Sequence, residues 1–145
     1  MEHDIRSLVK EVLEKGYLMS LGTADGGGVW VADVIYIFDD AFNIYWMSDP
    51  AVRHSKAILE NNKVAGTITV VDRGDELGVQ FHGTAEKIEG PRYDLAKKHY
   101  AKRGKLEPKE SDDVLEGDSW YMIKLASIEL IHKKLFGFNK QVLKF

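Results

Sequence analysis

Apolar positions change period several times along the chain, and those changes mark out the elements. Ile5, Leu8, Val9, Val12 and Leu13 recur at helical spacing on an otherwise charged segment, which predicts a helix with one apolar stripe. Asp4 is placed to cap its start and Gly16 to end it. From Tyr17 the pattern becomes that of strands: 17–24, a DGGG turn at 25–28, a second strand over 29–38, a turn at 39–42 and a third strand over 43–48. Close turns between consecutive strands predict an antiparallel meander.

Helical spacing returns once in the middle of the chain. Ser48 or Asp49 can cap this helix, Pro50 suits its first turn, and Val52, Ile58 and Leu59 offer an apolar face before Asn61-Asn62 stops it. Residues 64–72 and 77–89 read as strands around an RGDE turn. Gly78 and Gly83 in the second predict a bulge, a barrel bend or close approach by another backbone. A helix over 91–103 opens at Pro91, with Tyr93, Leu95, Ala96, His99 and Tyr100 as candidate buried positions and a Lys/Arg-rich outer face. A polar loop covers 104–118, and two or three further strands complete the chain.

Many strands, few helices and no βαβ alternation argue against a doubly wound fold, and no glycine-rich phosphate loop follows a strand. The expected class is mainly β with peripheral helices: a small antiparallel barrel, whose closure removes exposed edges. A length of 145 residues fits one domain, 1–145. Composition then removes whole classes of chemistry. The chain has no Cys, which excludes disulfides, thiolate metal sites and cysteine nucleophiles. Its five His are scattered, without metal-ligand spacing, so no metal site is expected. A net charge of −3 argues against non-specific nucleic-acid binding. The apolar runs are strand-length and the first residues are charged, so neither a membrane span nor a signal core is expected, and a cytoplasmic location is.

The segment Ser48-Asp49-Pro50-Ala51-Val52-Arg53-His54-Ser55-Lys56 brings hydroxyls and cations to the start of a helix. Free N–H groups and the helix dipole favour an anion there, and Arg53 can grip phosphate oxygens with a planar fork. The alternative is a solvated first turn that happens to be basic. The dipole favours acids at this end, so Arg53 and His54 are poorly placed unless they meet an anion.

This run resembles the phosphate-binding turn of the pyridoxamine 5′-phosphate oxidase-like FMN-binding split barrels. Ser48 matches the strand-end hydroxyl, Arg53 the family's Arg, Ile58 its Leu and Asn61 its Asn. Val52 stands where Ser is usual, His54 where Lys is usual and Asn62 where Pro is usual. The order of elements agrees over nearly the whole chain, GVQFHGTAEKIEG resembles a later strand, and the closing LFGFNKQV is similar to a short uncharacterised branch.

The resemblance implies an antiparallel split barrel that forms a homodimer with FMN in a cleft between subunits. It places the flavin along the backbone of Ala32, Asp33 and Val34, its phosphate on Ser48, Arg53 and His54, and Gln80 as a contact from the second subunit. The C-terminal Arg/His elements that hold vitamin B6 in true oxidases have no match, so the expected role is an oxidoreductase or electron carrier that does not act on vitamin B6. A non-enzymatic dimer binding haem, through His82 or His132, or another anion is the alternative.

Other residues have ordinary readings beside functional ones. Trp30, Tyr36, Tyr45 and Trp46 can stack on a flavin or fill a core. Asp33 is either a buried carboxylate in need of a partner or an outward-facing one. The Lys/Arg run over 97–105 reads as a solvated helix face.

Overall fold

The computed structural model describes residues 3–145. Its first helix, α1 (Ile5–Lys15), begins where the Asp4 carboxylate accepts hydrogen bonds from the Ser7 hydroxyl at 2.7 Å and the Ser7 backbone N–H at 3.4 Å. Val9, Val12 and Leu13 are buried. The helix ends at Gly16 in an extended conformation rather than the left-handed one common at such caps. The reason for glycine is close approach: a Cβ there would strike the Tyr36 hydroxyl and Ile68.

The expected meander follows as β1 (Leu18–Asp25), β2 (Gly28–Phe38) and β3 (Ile44–Ser48). Helix α2 (Arg53–Glu60) then crosses to β4 (Lys63–Val71), which pairs with β1 rather than with β3. After β5 (Leu77–Ile88) and α3 (Tyr93–Lys102) come β6 (Ser119–His132), the short α4 (Lys133–Phe136) and β7 (Gln141–Lys144). Neighbouring strands run in the order β3-β2-β1-β4-β5-β6-β7, all antiparallel, and a β3–β6 pairing closes six of them into a barrel. The fold is the antiparallel split barrel that the residue pattern and the resemblance imply.

Alternating residues fill the barrel, with Met19, Leu21, Tyr36, Trp46, Ile123 and Ile128 fully buried. Tyr36 donates its hydroxyl proton to Leu13 O at 2.7 Å, tying α1 to the barrel. A second apolar cluster, with Ile37, Tyr45, Leu95, Ala96 and Trp120, packs α3 against the outside. The Trp120 indole N–H there donates to Pro91 O at 2.8 Å. Gly83 meets its expectation: the β5–β6 register shifts between His82 and Gly83, and a Cβ on Gly83 would run into Lys124 O.

Several expected details differ. The N-cap of α2 is Val52, which makes no side-chain cap among the described residues. Neither proposed cap serves that role, because Asp49 accepts from Ala51 N at 2.8 Å and Ser48 bonds to His54. Leu59 faces solvent at 74% exposure, and the helix buries Ser55, Ala57 and Ile58 instead. The third helix begins at Tyr93, after Arg92 takes a left-handed conformation, φ 48°.

The basic face of α3 is not wholly solvated either. The β1 ladder reaches along β2 only to Ile35, so the carbonyls of Tyr36 and Phe38 lack a strand on that side. Lys98 Nζ donates to Phe38 O at 3.2 Å, and Lys102 donates to Tyr36 O while lying 3.4 Å over the Tyr36 ring. Burial lowers the Lys102 pKa to about 8.

His99, buried by α3 edge-on to Trp120, is held in its neutral form. Desolvation, aided by Arg103, Lys102 and Lys105, pushes its pKa down to about 4. The unfolded chain therefore binds this proton more readily than the folded one between about pH 6.5 and 4. Stability from this group is complete above about pH 6.5 and is lost as pH falls through 4, up to about 3 kcal/mol. Urea unfolding at pH 7.5 and 4.5 should show the loss, and His99→Gln should flatten it. An unchanged slope in that variant would place the acid sensitivity in the carboxylates.

Candidate functional site

The barrel is open along one seam. Strand β2 pairs with β3 only over Tyr36–Phe38, while it pairs with β1 over Gly28–Ile35. Between Gly28 and Ile35 its other edge bonds to no strand among the described residues. Extending the β2–β3 register puts Ser48 across from Val34, just where the ladder has stopped. The seam thus brings the Ala32–Val34 backbone to the end of β3 and the start of α2.

Three sequence-predicted residues meet at that corner, in two groups. Ser48 Oγ and His54 Nε2 lie 2.9 Å apart. His54 is half-buried, and desolvation lowers its pKa, so it enters neutral solution as an imidazole rather than as a substitute for a lysine cation. Arg53 turns the other way. Its guanidinium lies 4.5 Å over the Trp30 ring and 3.5 Å from Asp25 Oδ1, with the Arg53 side chain 40% exposed. The first N–H groups of α2 have no intrahelical partners and no cap side chain among the described residues, so the helix start is ready to donate to an anion.

The β1–β2 turn is fixed to this corner. Glu60 accepts from Gly26 N at 2.8 Å, and Asp25 accepts from Gly27 N at 2.8 Å. Neither Trp30 nor Asp25 stood out as part of the anion corner in the sequence, because the contacts that matter are 23 and 28 residues distant from Arg53.

The outer face of the sheet supplies an apolar surface next to the corner. Trp30 borders a groove of about 730 Å³ that Val29, Val31, Ala65, Leu125 and Ala126 also line. Val29 is 83% and Val31 64% exposed. Lys63, Lys124 and His82 stand along the groove. Asp33 points to this outer face and accepts a 2.6 Å hydrogen bond from Ser20, which is the outward-facing alternative with a partner supplied. Ala32 and Val34 alternate to the other side and are half-buried.

Gln80 lies on the outer face too. The ladder runs Asp33–Ser20–Thr67–Gln80, so Gln80 is three strand spacings, about 14 Å, from Asp33. Lys140 Nζ donates to it at 2.9 Å. One subunit does not bring Gln80 to the anion corner. His132 is away from the groove and caps α4 by accepting from Leu135 N at 3.4 Å. Tyr36, Tyr45 and Trp46 are core residues, and of the four singled-out aromatics only Trp30 is exposed.

These parts define a class: a split barrel whose open seam joins an uncapped helix start to an apolar groove. The family model of pyridoxamine 5′-phosphate oxidase matches residues 5–130, and the chain belongs to that family. A UPF0306 protein of Photorhabdus laumondii is 30% identical over 99 residues, spanning 66% of this chain and 69% of that protein. Among solved structures, General Stress Protein 26 of Bacillus anthracis superposes with a TM-score of 0.73 at 16% identity, covering 97% of this chain and 98% of that one. A heme binding protein of Mycobacterium smegmatis gives a TM-score of 0.69 at 12% identity, covering 99% of this chain and 59% of its own. Likeness at such identities establishes the shared fold.

Proposed function

We propose that the protein binds FMN in the seam and works as an oxidoreductase or electron carrier that does not act on vitamin B6. The observation that carries this reading is the unpaired β2 edge over Gly28–Ile35, facing the Ser48–Arg53–His54 corner. A flavin ring has a polar edge that needs backbone donors and acceptors, an apolar body and a phosphate tail. The open strand edge, the groove beside Trp30 and the uncapped start of α2 match those three needs in adjacent places. The residues present therefore fit the group.

In this reading Ser48 and the α2 N–H groups donate hydrogen bonds to the phosphate, Arg53 supplies the fixed positive charge and His54 orients the Ser48 hydroxyl. The Ala32–Val34 backbone positions the ring edge, and Trp30, on the same side of β2 as Ala32 and Val34, shields one side from water. When bound, FMN supplies hydride or single-electron transfer, and the chain's part is binding, orientation and electrostatics. No side-chain acid–base pair at the seam is assigned to catalysis.

The working unit is a homodimer. Leu18, Val29 and Val31 expose apolar surface on one sheet face, which two-fold pairing would bury. Gln80, on that same face and too far from its own subunit's corner, would then approach the partner's flavin.

A second reading has its own observation. His82 lines the apolar groove together with Lys63 and Lys124, a set that suits haem: one axial ligand and two cations for its carboxylates.

Titration of the purified protein with FMN, with visible spectra and sedimentation equilibrium on the product, separates these readings. Flavin absorption bands that travel with a particle of about twice the 16.4 kDa chain mass are expected. A Soret band on adding hemin, with no retention of FMN, would transfer the assignment to haem. A protein that ignores both ligands and sediments as a monomer would remove the cofactor and dimer readings together.

A further inference from the structure

Arg53, the one residue of the corner given a fixed charge for phosphate, already has an anion. Its guanidinium is 3.5 Å from Asp25 Oδ1, and Asp25 is the more buried partner, with its side chain 17% exposed. The carboxylate is held in place as well, because Oδ1 also accepts from Gly27 N at 2.8 Å. Glu60, from the far end of α2, fixes the same turn through Gly26 N–H. The cleft between turn and helix is lined by Asp25, Arg53, Lys56 and Glu60, two carboxylates and two cations whose formal charges cancel.

We propose that Asp25 is a built-in competitor for Arg53 and sets the charge class of the ligand: doubly charged phosphate monoesters displace it, and singly charged anions do not. The inference rests on this corner being the phosphate site. A monoanion that takes the place of Asp25 on Arg53 exchanges one unit of negative charge for another and leaves the Asp25 carboxylate unpaired. A phosphate monoester carries about two charges at neutral pH, so it gains more from Arg53 and from the α2 N–H groups than the contact with Asp25 supplied. It also meets repulsion from Asp25, which holds its affinity below what Arg53 alone would give. Asp25 thus trades affinity for selectivity, the repulsive half of a specific site.

The test uses the full chain and the variant Asp25→Asn. Asparagine retains an amide oxygen for Gly27 N–H, so the turn is kept while the charge goes. Binding is followed by two-dimensional NMR of the Trp30 indole N–H and the Arg53 Nε–H. The titrants are inorganic phosphate and acetate at constant ionic strength and pH 8, then FMN and riboflavin. Asp25→Asn is expected to tighten phosphate and FMN roughly 3- to 10-fold, to make acetate binding detectable, and to leave riboflavin within about 2-fold. Glu60→Gln, which removes a charge from the cleft without facing Arg53 directly, should have a smaller effect.

Unchanged or weaker phosphate binding in Asp25→Asn overturns the proposal and makes Asp25 a positioning residue for Arg53. If the wild type binds neither FMN nor riboflavin, while phosphate still moves Trp30 and Arg53 and does so more tightly in the variant, the flavin reading fails and the charge selector stands.

Discussion

Arg53→Ala should weaken FMN binding about 10- to 150-fold and leave riboflavin, which lacks the phosphate, nearly unaffected. The range follows from losing charge-assisted hydrogen bonds of about 1.5–3 kcal/mol. Arg53→Lys should restore only part of the loss. A lysine provides a point charge without the planar fork, and it stacks less well on Trp30, over which the guanidinium now lies at 4.5 Å. His54→Ala should cost less than Arg53→Ala. Spacing alone suggests that this cost rises near pH 6, where an exposed imidazole gains charge. Burial lowers the His54 pKa, so this rise should come at lower pH than it would for an exposed imidazole. Fluorescence-quenching titrations of both ligands against wild type and variants decide the matter. Equal weakening of FMN and riboflavin would make Arg53 a support of the fold. No weakening of either would remove the phosphate from the start of α2.

The residue pattern carried the strands well because their alternation is imposed by burial on one side. Met19 and Leu21 point into the barrel between half-exposed neighbours, and Val79, Phe81 and Ala85 do the same along β5. Helix α2 was less legible. Its real cap is Val52, a poor capping residue, and its apparent apolar position Leu59 is exposed while Ser55 is buried. A helix whose start is left uncapped departs from local preference, and the residues fit better if an anion completes them. The seam itself could not be read from the sequence. It depends on β3 leaving β2 after three paired residues while staying paired with β6 over Ile44–Ser48, a choice made by the barrel's closure and not by any local signal. The same holds for the Asp25–Arg53 and Trp30–Arg53 contacts, which join a hairpin to a helix that lies next to it only after the barrel has formed.

That closure depends heavily on Trp46. It lies at the middle of β3, opposite Tyr36 on one side and Tyr121 on the other, and it is fully buried. Its ring stacks on Tyr121 at 5.4 Å with an 18° interplanar angle. Trp46→Ala removes this pair and leaves a large cavity between the two strands that close the barrel. The expected cost is about 3–5 kcal/mol, against a total stability of roughly 5–15 kcal/mol for a domain of this kind. Urea unfolding should report a lower midpoint, or a protein already partly unfolded in buffer. Trp46→Phe should cost far less, since it keeps an aromatic ring and removes an indole N–H that has no hydrogen-bond partner among the described residues. The consequence for the site follows from position: Ser48, two residues beyond Trp46, ends the same strand and holds His54 at 2.9 Å. In variants that remain folded, FMN affinity should therefore fall with the stability of the β3–β6 closure. A folded Trp46→Ala protein with unaltered stability would show that β6 is held by the β5 ladder alone, and that the seam does not depend on β3 being clasped from both sides.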